Sequence, residues 1–168
     1  SLVSPFFSRL FPELPAGHKA YGSMMMNFAA NMLGLDNAAT PAGLQAMKEL
    51  QELNPDKERA SNAQIMFLVL NTSGLTILPI SVMAYRAQAG AANPADVFLP
   101  ILITTYFSTL AGLLVTSVYQ KINLLQKPIL IGIGVLTTGI AALLTWFQTM
   151  SPEELEVTST LISSILLM

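Results

Sequence analysis

The chain has 168 residues, of which 52% are hydrophobic and only 11% charged, and its mean hydropathy is +0.56. Soluble domains carry about twice that charged fraction, so the composition belongs with membrane proteins. A net charge of −2 offers no basic surface for nucleic acid, and the absence of cysteine removes disulfides, thiolate metal sites and cysteine nucleophiles together.

The opening stretch, SLVSPFFSRLFPELPAGHKA, has early prolines and no basic leader before an apolar core, so it does not read as a signal peptide. Ala20–Leu35 follows. As a helix it reaches about 24 Å, short of a hydrocarbon core of about 30 Å. Next, Thr40 as N-cap and Pro41 at the first helical position start an amphipathic helix that Asn54-Pro55 ends. Leu44, Met47 and Leu50 share one face of it, while Lys48, Glu49 and Glu52 point elsewhere, which suits a membrane surface.

Gln64–Ala84 is long enough to span but is interrupted by Asn71–Gly74 and kinked at Pro79; Ser61 and Gln64 form a capping box at its start. Val97–Tyr119 and Pro128–Phe147 are uncharged and read as full spans, with Trp146 as an interfacial anchor. Thr104, Ser108, Gly112 and Thr116 form a small-residue stripe on the first, and Gly134, Thr138 and Ala142 on the second, both suited to close helix packing. The run VTSTLISSILLM is too short to span before it stops at Met168. With Ser1 at the other end, the chain reads as a fragment of a longer protein.

Basic residues orient the chain. Lys48, Lys57 and Arg59 in one loop, and Lys121 and Lys127 in another, mark the cytoplasmic side; Glu153, Glu154 and Glu156 mark the outside. Arg9 and Lys19 flank Ala20–Leu35 on one side and the basic 48–59 loop flanks it on the other, so a re-entrant hairpin is expected there. The predicted architecture is all-α: a polytopic inner-membrane protein with a re-entrant or short broken helical hairpin, a surface amphipathic helix and about three full spanning helices.

The acidic residues fall in loops, caps or the surface helix, which leaves no paired carboxylates, no intramembrane proton relay and no carboxylate metal cage. Met24, Met25 and Met26 point to different helix faces, and His18 lies in a loop; neither supplies a metal site. An enzyme is not expected, nor a cofactor. What remains is neutral hydrogen bonding. Asn27 and Asn31 are four residues apart, Asn37 follows, and Asn71, Thr72 and Ser73 lie at the second interruption. Polar, helix-breaking patches at membrane depth persist where protein or a wet cavity satisfies them, and in transporters such breaks hold substrate. Amides and hydroxyls suit a neutral polar solute. They also glue helices together, at roughly 0.6–2 kcal/mol per bond.

The motifs NFAANMLGLDNAATP (27–41) and LNTS followed by TILP (70–79) occur in order, and about residues 9–120 closely resemble the bacterial spore maturation protein A family. That family falls in the nucleoside-recognition, or Gate, domain superfamily. The resemblance implies a Gate-like membrane domain over 1–120, an additional transmembrane helix at 121–150, and a loop with the start of a truncated span at 151–168. It also implies kinship with concentrative nucleoside transporters and the membrane part of ferrous iron transporter B, where re-entrant hairpins and unwound helices form the transport path. Carried over, the matching positions are Asn27, Asn31, Asn37, Thr40, Asn71, Thr72 and Ser73. The glutamate those transporters use against ribose, and iron-binding cysteines, have no clear counterpart here. Two functions are implied: a transporter-like domain that binds or passes a small neutral polar solute, nucleosides included, or a non-transporting component of spore or envelope maturation. A spore maturation protein B-like half or subunit is the implied partner, beside the lipid bilayer; homo-oligomerisation is left open.

Overall fold

The computed structural model describes residues 4–149, and among them every regular element is helical. The chain folds as α1 (Ser4–Leu10), α2 (Ala20–Met32), α3 (Asp36–Leu53), α4 (Asn62–Ser73), α5 (Ile80–Gln88), a 3-10 turn at Pro94–Val97, α6 (Phe98–Tyr119) and α7 (Lys127–Thr149). The expected apolar tail at 157–168 and its acidic loop lie outside the described residues.

α2 and α3 form a tight antiparallel hairpin. The turn works because Gly34 adopts φ +60° just past the end of α2. Leu35 N–H donates to Ala30 C=O at 2.9 Å and Gly34 N–H to Asn31 C=O at 2.9 Å, the paired bonds that close a helix through a left-handed glycine. α3 begins one turn earlier than expected. Leu35 is the N-cap, so Thr40 is not a cap but a helical residue whose Oγ1 donates to Asp36 C=O at 3.2 Å, and Pro41 lies inside the helix.

Nor is α3 a separate surface helix: it is the second arm of the hairpin. Its buried face is Ala39, Gly43, Ala46, Glu49 and Leu50, whereas Leu44 is 61% exposed. Small residues win that face because they let two backbones approach, a gain that outweighs the larger apolar area of Leu44.

The capping box forms as expected, with Gln64 N–H on Ser61 Oγ at 3.2 Å and Ser61 N–H on Gln64 Oε1 at 2.9 Å. α4 runs through Asn71, Thr72 and Ser73, and its end comes at Gly74 (φ +56°) rather than at Asn71. Residues 74–79 are non-helical, and α5 resumes at Ile80. The stretch is thus two helices of 12 and 9 residues, neither long enough alone to cross a bilayer.

α6, entered from the 3-10 turn, and α7 are long and apolar enough to cross a membrane. Only 17% and 11% of their apolar windows are buried, the reverse of a soluble core helix, so these surfaces fit lipid. Gly112 of the predicted α6 stripe meets α4, where an added Cβ would lie 2.9 Å from Val69 Cγ1, and Thr116 is buried. Thr104 and Ser108 of the same stripe are exposed, as are Gly134, Thr138 and Ala142 on α7.

Two apolar clusters hold these parts together. One joins Leu10 and Phe11, Met24, Leu50, Met66 and Phe67, Leu113 and Ile129, with Phe7, Phe28 and Phe67 in ring contact. The other joins Phe98, Leu102, Tyr106 and Ile140, with Leu75 and Ile77 from the interruption packed against it. Tyr106 and Thr137 link α6 to α7 by a 2.7 Å hydrogen bond between hydroxyls.

The interruption is sealed by the hairpin tip. Ile77 and Leu78 N–H both donate to Met32 C=O, at 2.8 and 2.9 Å, and Ser81 N–H donates to Gly34 C=O at 3.2 Å, joined there by its own hydroxyl. A Cβ on residue 34 would lie 2.8 Å from Leu78 O and 2.9 Å from Ile80 N. Gly34→Ala therefore meets both left-handed strain and backbone overlap, and should cost about 2 kcal/mol or more. Gly90→Ala (φ +77°, open space around it) meets strain alone. Denaturation of both variants in detergent micelles should show Gly34→Ala as clearly the weaker.

Candidate functional site

Along α2 a polar side chain recurs every fourth residue, at Lys19, Ser23, Asn27 and Asn31, and one helix face carries all four towards α3 and α4. At the open end Lys19 pairs with Glu52 at 2.8 Å; both are more than half exposed, so the pair adds little. The Glu52 hydrogen bond, foremost, raises the Lys19 pKa.

One turn further in, Glu49 is buried between the arms. Its Oε1 accepts from Gln45 Nε2 at 2.8 Å and its Oε2 from Ser23 Oγ at 2.7 Å. The Gln45 bond first, then Ser23 and the charge of Lys19, outweigh desolvation and hold this carboxyl below its usual range.

Next comes a relay of three amides. Asn27, 1% exposed, donates from Nδ2 to Ala39 C=O at 2.8 Å. A carbonyl oxygen can only accept, and the amide donates only through its NH₂, so this contact fixes the orientation of the Asn27 amide and turns its Oδ1 towards Asn31. Asn31 Nδ2 donates to Asn27 Oδ1 at 3.3 Å and to Asn71 Oδ1 at 2.6 Å. The relay thus joins the hairpin to the last turn of α4. Gly43 makes room for it: a Cβ there would lie 2.8 Å from Asn27 Nδ2 and 3.7 Å from Asn71 Nδ2.

Three of the seven sequence-derived positions converge: Asn27, Asn31 and Asn71. The other four do not join them by hydrogen bonds. Asn37 is exposed in the first turn of α3, Thr40 bonds within its own helix, Thr72 is exposed, and Ser73 Oγ donates to Leu70 C=O at 2.9 Å beside Gly112. Sequence reasoning missed Gly43, Ser23 with Glu49, and Ser81. The four-residue spacing from Lys19 to Asn31 was the available signal for Ser23; nothing local marked Gly43.

A second polar cluster lies at the other end of α3. Asn54 Nδ2 donates to Gln51 Oε1, Arg59 C=O and Gln64 Oε1, while Gln64 Nε2 donates to Gln51 Oε1. Glu13 caps α4 through Asn62 Nδ2 and Ala63 N–H. A cleft of about 460 Å³ opens beside it, lined by Glu13, Asn54, Asp56 and Arg59 among others. Its amides are spent on one another and on backbone, which makes this corner a brace.

Two outcomes test the site. Double-mutant analysis of Asn31→Ala and Asn71→Ala, read by unfolding in mixed micelles, should give a coupling of about 0.6–2 kcal/mol. Because the Glu49 pKa is depressed on folding, its stabilisation is present above the ordinary carboxylate range and lost as pH falls through the lower folded value. Glu49→Gln should flatten that acid limb of stability against pH.

Spore maturation protein A of Bacillus subtilis (strain 168) is 39% identical over 114 residues, which is 68% of this chain and 58% of that protein. The match thus spans less than two thirds of that relative's length. No protein-family model matches the chain, and no solved structure matches it. Over the shared residues the chain belongs to the spore maturation protein A family.

Proposed function

We propose that this chain is part of a multi-pass inner-membrane domain acting in spore maturation, and that its asparagine relay binds or passes a small neutral polar solute. In this reading the α2–α3 hairpin enters the membrane without crossing it, and α4 with α5 crosses once as an interrupted span beside α6 and α7. α2 has 13 residues, about 20 Å, which suits an arm that stops inside the bilayer. The observation that carries the solute reading is Asn31–Asn71: two amides from separate elements meet where an interrupted helix ends. Broken helices at membrane depth characteristically line a path or a site. The resemblance to nucleoside-recognition domains makes nucleosides the first solutes to try.

One observation favours a second reading, a non-transporting component that works with a spore maturation protein B-like partner. The relay amides largely satisfy one another and the Ala39 carbonyl, as helix glue would. The name of the relative speaks to maturation alone.

Uptake of labelled nucleosides and other small neutral solutes into vesicles bearing the complete parent protein separates the two. The solute reading expects uptake that Asn27→Leu/Asn71→Leu abolishes while the protein still assembles. If uptake never appears and the double substitution instead disrupts assembly with the partner half, the second reading stands.

A further inference from the structure

The relay has a direction, and its direction leaves two atoms over. Ala39 C=O fixes Asn27; Asn27 Oδ1 fixes Asn31 with its Nδ2 inward; Asn31 Nδ2 fixes Asn71 with its Oδ1 inward. Two amides often close a pair of reciprocal bonds, but here only one forms. Asn31 Oδ1, an acceptor, and Asn71 Nδ2, a donor, are left without a hydrogen-bond partner among the described residues, on side chains that are only half-buried. Gly43 lies against the relay, where a Cβ would overlap Asn27 Nδ2 at 2.8 Å and touch Asn71 Nδ2 at 3.7 Å.

An unpartnered acceptor and an unpartnered donor on two amides joined by one hydrogen bond discriminate between ligands. An anion would face Asn31 Oδ1 and a cation would face Asn71 Nδ2, so each ion meets one repulsive dipole. No charged side chain is bonded to the relay to offset that. A hydroxyl would have to reach both open positions from a single oxygen, as Thr105 Oγ1 does between Thr76 N–H and Ile101 C=O, and is the competing ligand that the test has to separate. A carboxamide or lactam carries N–H and C=O on adjacent atoms and satisfies both at once.

The geometry points to Asn31 and Asn71 as a subsite for the amide edge of a neutral ligand, one that donates to Asn31 Oδ1 and accepts from Asn71 Nδ2. This deepens the solute reading and rests on it only for the site being reachable, not for transport.

The test uses the full chain in lipid nanodiscs with ¹⁵N-labelled asparagine, titrated with 2-piperidone as probe. Saturable shifts of the Asn71 side-chain NH₂ signal are expected. N-methyl-2-piperidone, which keeps the carbonyl but loses the donor, should bind about three- to tenfold more weakly, the worth of one net hydrogen bond. Asn71→Asp keeps the acceptor that Asn31 uses but removes the outward donor, so the saturable shift that the lactam causes at the neighbouring Asn31 side-chain NH₂ signal in the unaltered protein should be lost while the Asn27 signal stays in place. Equal binding of the N-methyl lactam, an equal response to cyclohexanol, or no saturable shift would each overturn the inference. The N-methyl comparison is made on the unaltered protein, so it does not depend on a variant folding. Lactam binding without any uptake would retain this subsite and remove the transport reading; uptake indifferent to N-methylation would do the reverse.

Discussion

The constraint on which the rest depends is the fate of the backbone N–H groups in residues 74–81. A helix interrupted among apolar neighbours exposes donors that hydrocarbon cannot satisfy, and each orphan costs several kcal/mol. Here Ile77 and Leu78 share Met32 C=O, Ser81 uses Gly34 C=O, and Thr76 N–H donates to Thr105 Oγ1 at 3.1 Å. The end of one helix thus answers the break in another. The hairpin must place its tip against the interruption, and the close spacing along α2 and α3 follows from that placement. Asn27, Asn31 and Asn71 meet as a further result.

Much of this was legible from sequence. The apolar lengths of α6 and α7, the Ser61–Gln64 box, the existence of an interruption and the shared face of Asn27 and Asn31 all rest on local spacing, which a single chain displays directly. The misplacements share one cause. Thr40-Pro41 is a sound helix start on local grounds, yet the left-handed turn at Gly34 starts α3 a turn sooner. Leu44 and Glu49 were assigned faces by polarity, but close helix approach selects for size, and Glu49 is buried because Ser23 and Gln45 hold both its oxygens. The extent of α4 escaped for a similar reason: Asn71 reads as a breaker but is held helical while its side chain is engaged by Asn31. The meeting of Asn31 with Asn71, 40 residues apart, is tertiary and had no local signature.

The polar residues divide by what they do for the fold. The corner around Asn54 and Gln64 spends its capacity internally, and the Lys19–Glu52 pair is solvated. The relay differs in being oriented from one end by a main-chain carbonyl and unfinished at the other. Such an arrangement supports packing and recognition with the same atoms, which is why substitution tests on stability alone would not separate them.

Gly34 carries a mechanical consequence. Its carbonyl holds Ser81, its missing Cβ lets Leu78 and Ile80 lie against it, and Met32 beside it grips Ile77 and Leu78. Sliding the hairpin tip alone would break these bonds together. Any rearrangement that keeps them must carry α2, α3 and the 74–81 stretch as a single moving part, with the compliance left to their seats on α6: the Thr76–Thr105 bond and the packing of Leu75 and Ile77 against Phe98, Leu102 and Tyr106.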